Sequence, residues 1–308
     1  MIVTVTPNPA LDLTWHVDRI TAGGVHRAGT GRARAGGKGL NVARVAHAQG
    51  ADVRAITTTG GATGGEFALE LGRSGVPNTL VPVAADTRRS IALVDAHLGD
   101  TTIINERGVN PDAAEWAALQ AAVAAAVASA AVLVVSGSLP PGAPDEALPA
   151  LIAAGRSAGA TVIADTSGPA LLVAADAGAH VLKPNAAELA DATGLADPVD
   201  GARALIARGA RLVLVSLGAD GMLAITADAV VRARLGRSLA GNPTGAGDAA
   251  VAAAAVLIDG GVTDAARILR RATAWSAAAV LMPLAGDIHD SWRALEGELE
   301  LTTAKDPE

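Results

Sequence analysis

The sequence predicts an α/β fold with a mostly parallel central sheet, helices on both faces and a small β lid. Short runs rich in Val, Ile and Leu alternate along the chain with longer alanine-rich runs. Nearly continuous apolar strands between helices are typical of parallel sheets that are covered on both faces. Two segments, 12–35 and 88–108, instead alternate polar and apolar residues, which indicates half-exposed antiparallel strands. We therefore expect a single domain over residues 1–308, with these two insertions forming the lid.

The central elements are predicted in chain order from these runs. Six apolar runs predict strands at Ile2–Thr6, Val53–Thr58, Val132–Ser136, Thr161–Asp165, His180–Leu182 and Leu212–Ser216. Helical patterns cover Lys38–Gln49, Gly65–Ser74, Asp112–Ser129, Asp145–Ala158, Asn185–Ala192, Gly201–Arg208, Ala246–Asp259 and Thr263–Val280, so that the last third is mainly helical. Within the second insertion Leu98-Gly99-Asp100 predicts a hairpin turn, and the polar tail 302–308 is expected to fray.

Composition excludes several classes of protein. The chain of 308 residues is 50% hydrophobic and 18% charged, which excludes disorder as a description of the whole. Its net charge of −7 gives no general attraction for nucleic acid or anionic membranes, and we expect neither as a partner. The absence of cysteine excludes disulfides and thiolate sites. No secretory leader pattern is visible and 117–135 is interpreted as a helix followed by a strand, so we expect a cytoplasmic protein.

The most specific motif is the run Asn242-Pro243-Thr244-Gly245-Ala246-Gly247-Asp248, which leads directly into an Ala- and Val-rich helix. Glycines let backbone N–H groups turn toward an anion, and the N-terminus of a helix adds a positive dipole end. Asp248 has two interpretations. It is either an ordinary favourable charge in a first helical turn, or a general base that takes a hydroxyl proton beside a phosphate cradle.

Two further motifs also lead into helices. Gly36-Gly37-Lys38-Gly39-Leu40-Asn41 runs from a glycine turn into a helix but does not fit a Walker A loop, and Gly245-x-Gly247 does not complete a dinucleotide fingerprint. In Lys183-Pro184-Asn185-Ala186-Ala187-Glu188, the residues Asn185 and Glu188 have the spacing of a capping box. Glu188 alternatively contacts a hydrated Mg²⁺ through water.

Together, in this order, the three motifs resemble the PfkB family of carbohydrate kinases, which has a ribokinase-like fold, and the resemblance covers nearly the whole chain. The wording of 7–12, 39–42 and 136–142 is similar to the 1-phosphofructokinase and tagatose-6-phosphate kinase branch. The resemblance implies transfer of the ATP γ-phosphoryl group to a sugar hydroxyl, with Mg²⁺. It implies Asp248 as the base and an anion hole made by Gly245, Ala246 and Gly247.

The same resemblance assigns the other site residues. The nucleotide side would be Lys183, Asn185, Glu188, Ser216, Gly218, Gly221 and Thr244. The sugar side would be Asp12, Gly36, Gly37, Lys38, Asn41, Arg88 and Ser136, with Arg88 reaching a phosphate already on the sugar. The sequence departs from the branch pattern at Ser90, Ala92 and Arg107, all in the sugar-phosphate corner.

The arginine-rich lid predicts a phosphorylated acceptor, because guanidinium groups bind phosphate bidentately. The expected reaction converts fructose 1-phosphate to fructose 1,6-bisphosphate. Tagatose 6-phosphate, fructose 6-phosphate, an unphosphorylated sugar and a nucleoside remain alternatives on the same fold, although scarce aromatics disfavour a base. A sugar-phosphate binder without catalysis is a distant alternative. Because half-exposed lid strands have edges that need covering, we expect a homodimer through the lid.

Overall fold

The structure is a computed structural model that describes residues 1–304, and two β-sheets organise it. The strands are β1 (Ile2–Thr6), β2 (Ala10–Val17), β3 (Arg32–Gly36), β4 (Val53–Thr59), β5 (Asn78–Pro82), β6 (Arg88–Asp95), β7 (Asp100–Asn105), β8 (Val132–Ser136), β9 (Thr161–Asp165), β10 (Val181–Leu182), β11 (Leu212–Ser216), β12 (Met222–Ile225), β13 (Val230–Arg234) and β14 (Glu300–Ala304). The helices are α1 (Lys38–Ala48), α2 (Gly61–Arg73), α3 (Ala113–Val127), α4 (Ala147–Ser157), α5 (Pro169–Asp176), α6 (Ala186–Thr193), α7 (Pro198–Arg208), α8 (Ala246–Asp259), α9 (Ala265–Val280) and α10 (Trp292–Glu298).

The central sheet has ten strands in the order β14-β13-β12-β11-β10-β9-β8-β1-β4-β5. The seven strands from β11 to β5 are parallel, and β12, β13 and β14 add an antiparallel edge. Neighbouring residues such as Ile2 and Val3 belong to opposite apolar layers. Helices α1, α2, α8, α9 and α10 pack on one face, and α3 to α7 pack on the other. The predicted α/β fold with a mostly parallel sheet is confirmed.

The two insertions form a separate sheet of four strands in the order β3-β2-β6-β7. Strands β2 and β3 are antiparallel, as are β6 and β7, and residues 96–99 form the turn between the latter pair. Strands β2 and β6 run parallel over eight residue pairs. The sheet is therefore mixed, whereas the alternating pattern had predicted antiparallel strands throughout, because the pattern within one strand carries no information about its partner's direction.

Differences from the predicted elements concentrate near the sheet edge and helix starts. The C-terminal third is less helical than predicted, since it contains β12, β13 and β14. The expected fraying of the tail is wrong for 302–304, which pair with β13 in the sheet, while 305–308 lie outside the described residues. Helix α2 begins at Gly61 rather than Gly65, and α5 was not predicted.

The carboxyl ends of β1, β8, β9, β10 and β11 meet at one edge of the central sheet. In open α/β sheets ligands bind outside this edge. The four-stranded sheet and the first turn of α8 contribute residues to a cavity there. Within residues 1–304, no helix combines the length and apolar character needed to cross a membrane.

Candidate active site

A cavity of about 800 Å³ lies at the carboxyl edge, between the central sheet, the four-stranded sheet and α8. Most residues that the sequence singled out line it together: Asp12, Gly37, Lys38, Asn41, Arg88, Lys183, Asn185, Glu188, Ser216, Gly218, Gly221, Thr244, Gly245, Ala246, Gly247 and Asp248. Gly36 and Ser136 do not line it. The three motifs, which lie far apart in the chain, therefore contribute to one site.

The first turn of α8 leaves backbone donors open toward this cavity. Gly245 precedes the helix with φ of 85°, and no side chain caps the helix. A Cβ atom on Gly245 would lie 2.7 Å from the Cβ of Ala285, so glycine is required there for space as well as for φ. The N–H of Ala246 donates to the carbonyl of Pro243 at 3.1 Å, whereas those of Gly247 and Asp248 find no acceptor among the described residues. Two free N–H groups at a helix N-terminus form an anion site.

Asp248 is buried at this N-terminus and faces the cavity. Its Oδ2 accepts a hydrogen bond from Nδ2 of Asn41 at 2.7 Å, which ties α8 to α1. Burial, with the negative charge of Asp165 adding to it, raises the pKa of Asp248 to about 6, against the opposing hydrogen bond from Asn41. A carboxylate with such a pKa is ionised near neutral pH and still a competent proton acceptor.

Asp165 organises the two lysines of the site from below. Its Oδ1 lies 3.4 Å from Nζ of Lys38 and 3.7 Å from Nζ of Lys183, and its Oδ2 accepts from Oγ of Ser136 at 3.1 Å. Burial alone would raise the pKa of Asp165, but the charges of Lys183 and Lys38 hold it below its ordinary value. Asp165 is thus an anion that fixes two cations at the cavity floor. Ser136 is fully buried and orients Asp165 instead of facing the cavity.

Asp165 was not among the site residues predicted from the sequence, although its position at the end of an apolar run pointed to the site. It follows four strand residues, Thr161–Ala164, of which three are apolar, and it stands at the predicted carboxyl end of β9. A carboxylate ending a buried strand at this edge is costly unless paired. That cost predicts cationic neighbours, which Lys38 and Lys183 supply.

Lys38 is surrounded by carboxylates. Besides Asp165, its Nζ lies 3.9 Å from Oε1 of Glu188. Burial by itself would lower the pKa of Lys38, yet the charges of Asp165, Asp248 and Glu188 outweigh burial and raise it. Lys183 is only 4% exposed, and a Cβ on Gly247 would lie 3.1 Å from its Nζ. The ammonium group of Lys38 therefore stays charged, and Nζ of Lys183 lies beside the α8 anion site.

Asn185 and Glu188 form the capping box that their spacing predicted. The side chain of Asn185 accepts from the N–H of Glu188 at 2.8 Å, and Oε2 of Glu188 accepts from the N–H of Asn185 at 2.9 Å. The other carboxylate oxygen, Oε1, faces Lys38. In residues 1–304 no group of three or more His, Asp or Glu side chains is arranged to hold a metal ion.

The cavity wall that the sequence predicted for the nucleotide continues through β11 and a 3₁₀ turn at Gly218–Asp220. Ser216 donates its N–H to the carbonyl of Pro184 at 3.1 Å, which joins this wall to the start of α6. Gly221 has φ of 90°, and the carbonyl oxygen of Ala233 fills the space that a Cβ would need. The wall is thus built from backbone that approaches closely, a feature that glycine allows.

The four-stranded sheet covers the opposite side with Asp12, Arg88 and Ser90. Burial raises the pKa of Asp12 to about 6. The positive charge of Arg88 works against this increase, whereas the negative charge of Asp248 adds to it. The Asp12 carboxylate also occupies the space beside Gly36 where a Cβ would lie. Arg88 donates through Nε and Nη2 to the carbonyl of Asn8 at 3.2 Å each and through Nη1 to that of Glu106 at 3.1 Å. Its guanidinium is therefore held in place at the rim of the cavity.

Comparison with known proteins covers nearly the whole chain. A family profile described as pfkB family carbohydrate kinase matches residues 7–291. A protein named 1-phosphofructokinase from Xanthomonas campestris pv. campestris is 40% identical over 284 residues, 89% of each chain. A protein named ATP-dependent 6-phosphofructokinase isozyme 2 from Mycobacterium tuberculosis is 37% identical over 261 residues, 83% of this chain and 77% of that one. The crystal structure of phosphofructokinase-2 from Escherichia coli in complex with fructose-6-phosphate, 30% identical, matches with a TM-score of 0.87 over 96% of this chain and 98% of that chain.

Proposed function

Because the chain belongs to the pfkB family of carbohydrate kinases and uses ATP as its phosphoryl donor, we propose that its acceptor is fructose 1-phosphate, which it converts to fructose 1,6-bisphosphate. The observation that carries the chemistry is the buried carboxylate of Asp248 beside the free N–H groups of the α8 N-terminus. The choice of sugar rests on the 40% identity to a relative named 1-phosphofructokinase.

The proposed step is an in-line phosphoryl transfer. The acceptor hydroxyl oxygen bonds to the γ-phosphorus as the bond from that phosphorus to the β–γ bridging oxygen breaks, and ADP leaves. Asp248 takes the hydroxyl proton, for which its raised pKa of about 6 suits it. The N–H groups of Gly247 and Asp248, together with that of Gly245, face the phosphoryl oxygens and stabilise their charge. The N–H of Ala246, which the resemblance places in the anion hole, donates instead to the carbonyl of Pro243 at 3.1 Å.

On the nucleotide side, the charge of Lys183 lies beside Gly247 and balances the transferring phosphate. Asn185 and Glu188 support the phosphates from the start of α6, and Ser216, Gly218, Gly221 and Thr244 line the wall. Within residues 1–304 no cluster of carboxylates surrounds a metal position, so the side chains present fit a Mg²⁺ that binds the phosphates and keeps most of its waters. In Glu188, Oε2 is used by the capping box and Oε1 is left for such a water. Such an ion would supply charge neutralisation on the phosphates, and Glu188 would hold it through water.

On the sugar side, Asp12 and Asn41 face the acceptor hydroxyls, with the backbone of Gly37 shaping the floor. Gly36 does not line the cavity and gives the Asp12 carboxylate the space that a Cβ would fill. Lys38 provides a charge between the sugar and the γ-phosphoryl group. Arg88, already fixed by two carbonyls, is the group we assign to the phosphate carried by the sugar. Ser136 acts indirectly, because its hydroxyl donates to Asp165 and orients that carboxylate.

We also propose that the four-stranded sheet is a lid and that two chains associate through it. Strand β7 pairs only with β6 among the described strands, so its outer edge is open. Ile103 and Ile104, which point to opposite sides of β7, are 47% and 55% exposed. An open edge with exposed apolar residues favours coverage by a partner.

The test is ADP release with MgATP and a panel of acceptors: fructose 1-phosphate, fructose 6-phosphate, tagatose 6-phosphate, free fructose and a nucleoside. We expect fructose 1-phosphate to give the highest kcat/KM. Replacement of Arg88 with Ala should raise the KM of the phosphosugar by roughly 10–100-fold, as expected for loss of a charge-assisted phosphate contact. The KM of ATP should not change, and that constant is the internal control.

Each other outcome assigns a different function. Preference for a 6-phosphate would keep the chemistry and change the sugar. Preference for free fructose, unaltered by Arg88→Ala, would contradict a phosphorylated acceptor. Thermal stabilisation by a sugar phosphate without ADP release would identify a binder that lacks catalysis.

A further inference from the structure

A second cavity, of about 560 Å³, lies further along α1, toward the C-terminal end of that helix. Its walls come from β2 and β3, the C-terminal half of α1, α2 and the segment around Asp287. The two cavities share no lining residue. Along α1, Lys38 and Asn41 line the first, whereas Arg44 and His47 line the second. The first cavity is therefore lined by the N-terminal turns of α1 and the second by its C-terminal turns, because residues three apart lie on successive turns of a helix.

This second cavity is positively charged in a chain whose net charge is −7. Four arginines line it against two carboxylates, Glu70 and Asp287. Arg34 donates through Nη1 and Nη2 to Asp287 at 2.8 and 3.1 Å. Arg44 donates to Glu70 at 2.5 Å and to the carbonyl of Ala35 at 3.1 Å. Both carboxylates are therefore already used by these two inner arginines.

The remaining two arginines, Arg32 and Arg73, have no ion pair within the part of the chain that the structure describes. They are exposed side chains at the cavity mouth. Deeper in, Arg44 is only 7% exposed and its Nε lacks any hydrogen-bond acceptor. A buried donor left without an acceptor is costly. Nε itself is not accessible from the cavity, so a ligand there would meet the charge of Arg44 and not this atom.

We propose that this cavity is a second anion site, separate from the active site, that binds a phosphate group. Phosphate offers several acceptor oxygens and matches the fork of an arginine, so one group can contact Arg32 and Arg73 together at the mouth, with the positive charge of Arg44 deeper in the cavity. A volume of about 560 Å³ accommodates inorganic phosphate or a small phosphorylated metabolite.

The experiment measures binding of inorganic phosphate by calorimetry, at constant ionic strength set with chloride. It compares the wild type, Arg32→Ala/Arg73→Ala, Arg88→Ala as the active-site variant, and Arg211→Ala/Arg267→Ala, which removes two exposed arginines that line neither cavity. We expect the first double variant to weaken the phosphate Kd by about tenfold or more, as for loss of charge-assisted contacts. Arg88→Ala and the control double variant should keep the site.

A repeat with fructose 1-phosphate in the Arg88→Ala background distinguishes the two ligand sources. Tighter binding of the phosphosugar than of phosphate would identify an organic ligand, and equal binding would identify phosphate itself. The proposal is overturned if the wild type shows no saturable phosphate binding, if Arg88→Ala abolishes all of it, or if both double variants weaken it equally. Since Arg32 and Arg73 are exposed and unpaired, melts in chloride should be unchanged, and ADP release should continue.

Discussion

Two helices, α6 and α8, begin at the same cavity, and their first turns are built in opposite ways. At α6 the side chains of Asn185 and Glu188 satisfy each other's backbone N–H groups. At α8 a glycine with φ of 85° stands at the cap position, no side chain caps the turn, and the N–H groups of Gly247 and Asp248 stay free. Capping stabilises the first helix by about 0.5–2 kcal/mol. Helix α8 lacks this stabilisation, and its free N–H groups remain able to bind a ligand.

The comparison shows how motifs of similar appearance differ in chemistry. Both turns follow a proline and carry a carboxylate, Glu188 or Asp248. Glu188 points back to its own helix with one oxygen, whereas Asp248 is held by Asn41 from another helix and is buried. Glu188 mainly stabilises its own helix, because one of its oxygens accepts from a backbone N–H of the first turn. Asp248 accepts from the Asn41 side chain of α1 and from no N–H of its own turn, so it is available for proton transfer.

The largest effect is expected at α8. Replacement of Asp248 with Asn should lower kcat by roughly 10²–10⁴, the usual contribution of a general base. The fold and the KM of ATP should be preserved, because the amide has the size of the carboxyl group and can still contact Asn41. Steady-state ADP release at saturating substrates measures this. Asp228→Asn, an exposed loop change, is the control, and a variant that keeps more than half of the wild-type kcat would remove Asp248 from the role of base.

Gly245→Ala should affect both stability and activity. Left-handed backbone costs a residue with a Cβ roughly 1–2 kcal/mol, and here the Cβ also meets Ala285 at 2.7 Å. The matched control is Gly194→Ala at the end of α6, where φ is 73° and nothing lies within 4 Å of the added Cβ. Denaturant unfolding should show a larger loss for Gly245→Ala, and only that variant should lower kcat. Equal losses with unchanged kcat would mean that the α8 turn does not need its observed shape.

Acidic pH should lower the activity by protonating Asp248 at the start of α8. Burial raises the pKa of Asp248 to about 6, and only the ionised carboxylate accepts a proton, so activity is full above this pH and falls below it. We expect kcat/KM for the phosphosugar to fall about tenfold per pH unit below about 6, and more steeply if Asp12, whose pKa burial also raises to about 6, must be ionised too.

A pH series of kcat/KM with parallel melts separates this ionisation from unfolding. The Asp12→Asn variant distinguishes the two carboxylates, since the acid limb should persist in it with a slope of one. A flat profile from pH 7 to pH 5 in the wild type would contradict the assignment of either group.

The sequence predicted the parallel core well, because β1, β8, β9 and β11 are mainly apolar runs whose bounds match the structure. Its failures have physical reasons. Strands β12 and β13 have only four and five residues, which leaves little pattern to recognise. Strand β14 lies at the edge of the sheet, where residues 302–304 pair with β13 alone. The parallel pairing of β2 with β6 joins segments more than seventy residues apart, which no local pattern encodes.

At the site, the glycine motifs predicted helix starts that line one cavity, because turn chemistry is local. The burial and partners of individual groups were not predictable. Asp165 escaped selection because its importance comes from Lys38 and Lys183, which lie far away in the chain. Arg88 was expected to be free for phosphate, yet it also holds two backbone carbonyls.

The smallest effect is expected at α6, where Glu188→Gln tests whether a capping residue also serves Mg²⁺. Glutamine keeps an oxygen that can accept from the N–H of Asn185, so the box survives and only the charge is lost. Box-forming Glu115 of α3, outside the cavity, is the matched control through Glu115→Gln. Stability should change little in both variants, and only Glu188→Gln should raise the Mg²⁺ concentration for half-maximal rate, by roughly tenfold, the low end for loss of an indirect metal contact. Magnesium titrations with melts measure both quantities. If the two variants respond alike, Glu188 is a cap and α6 contributes to the site only by its position.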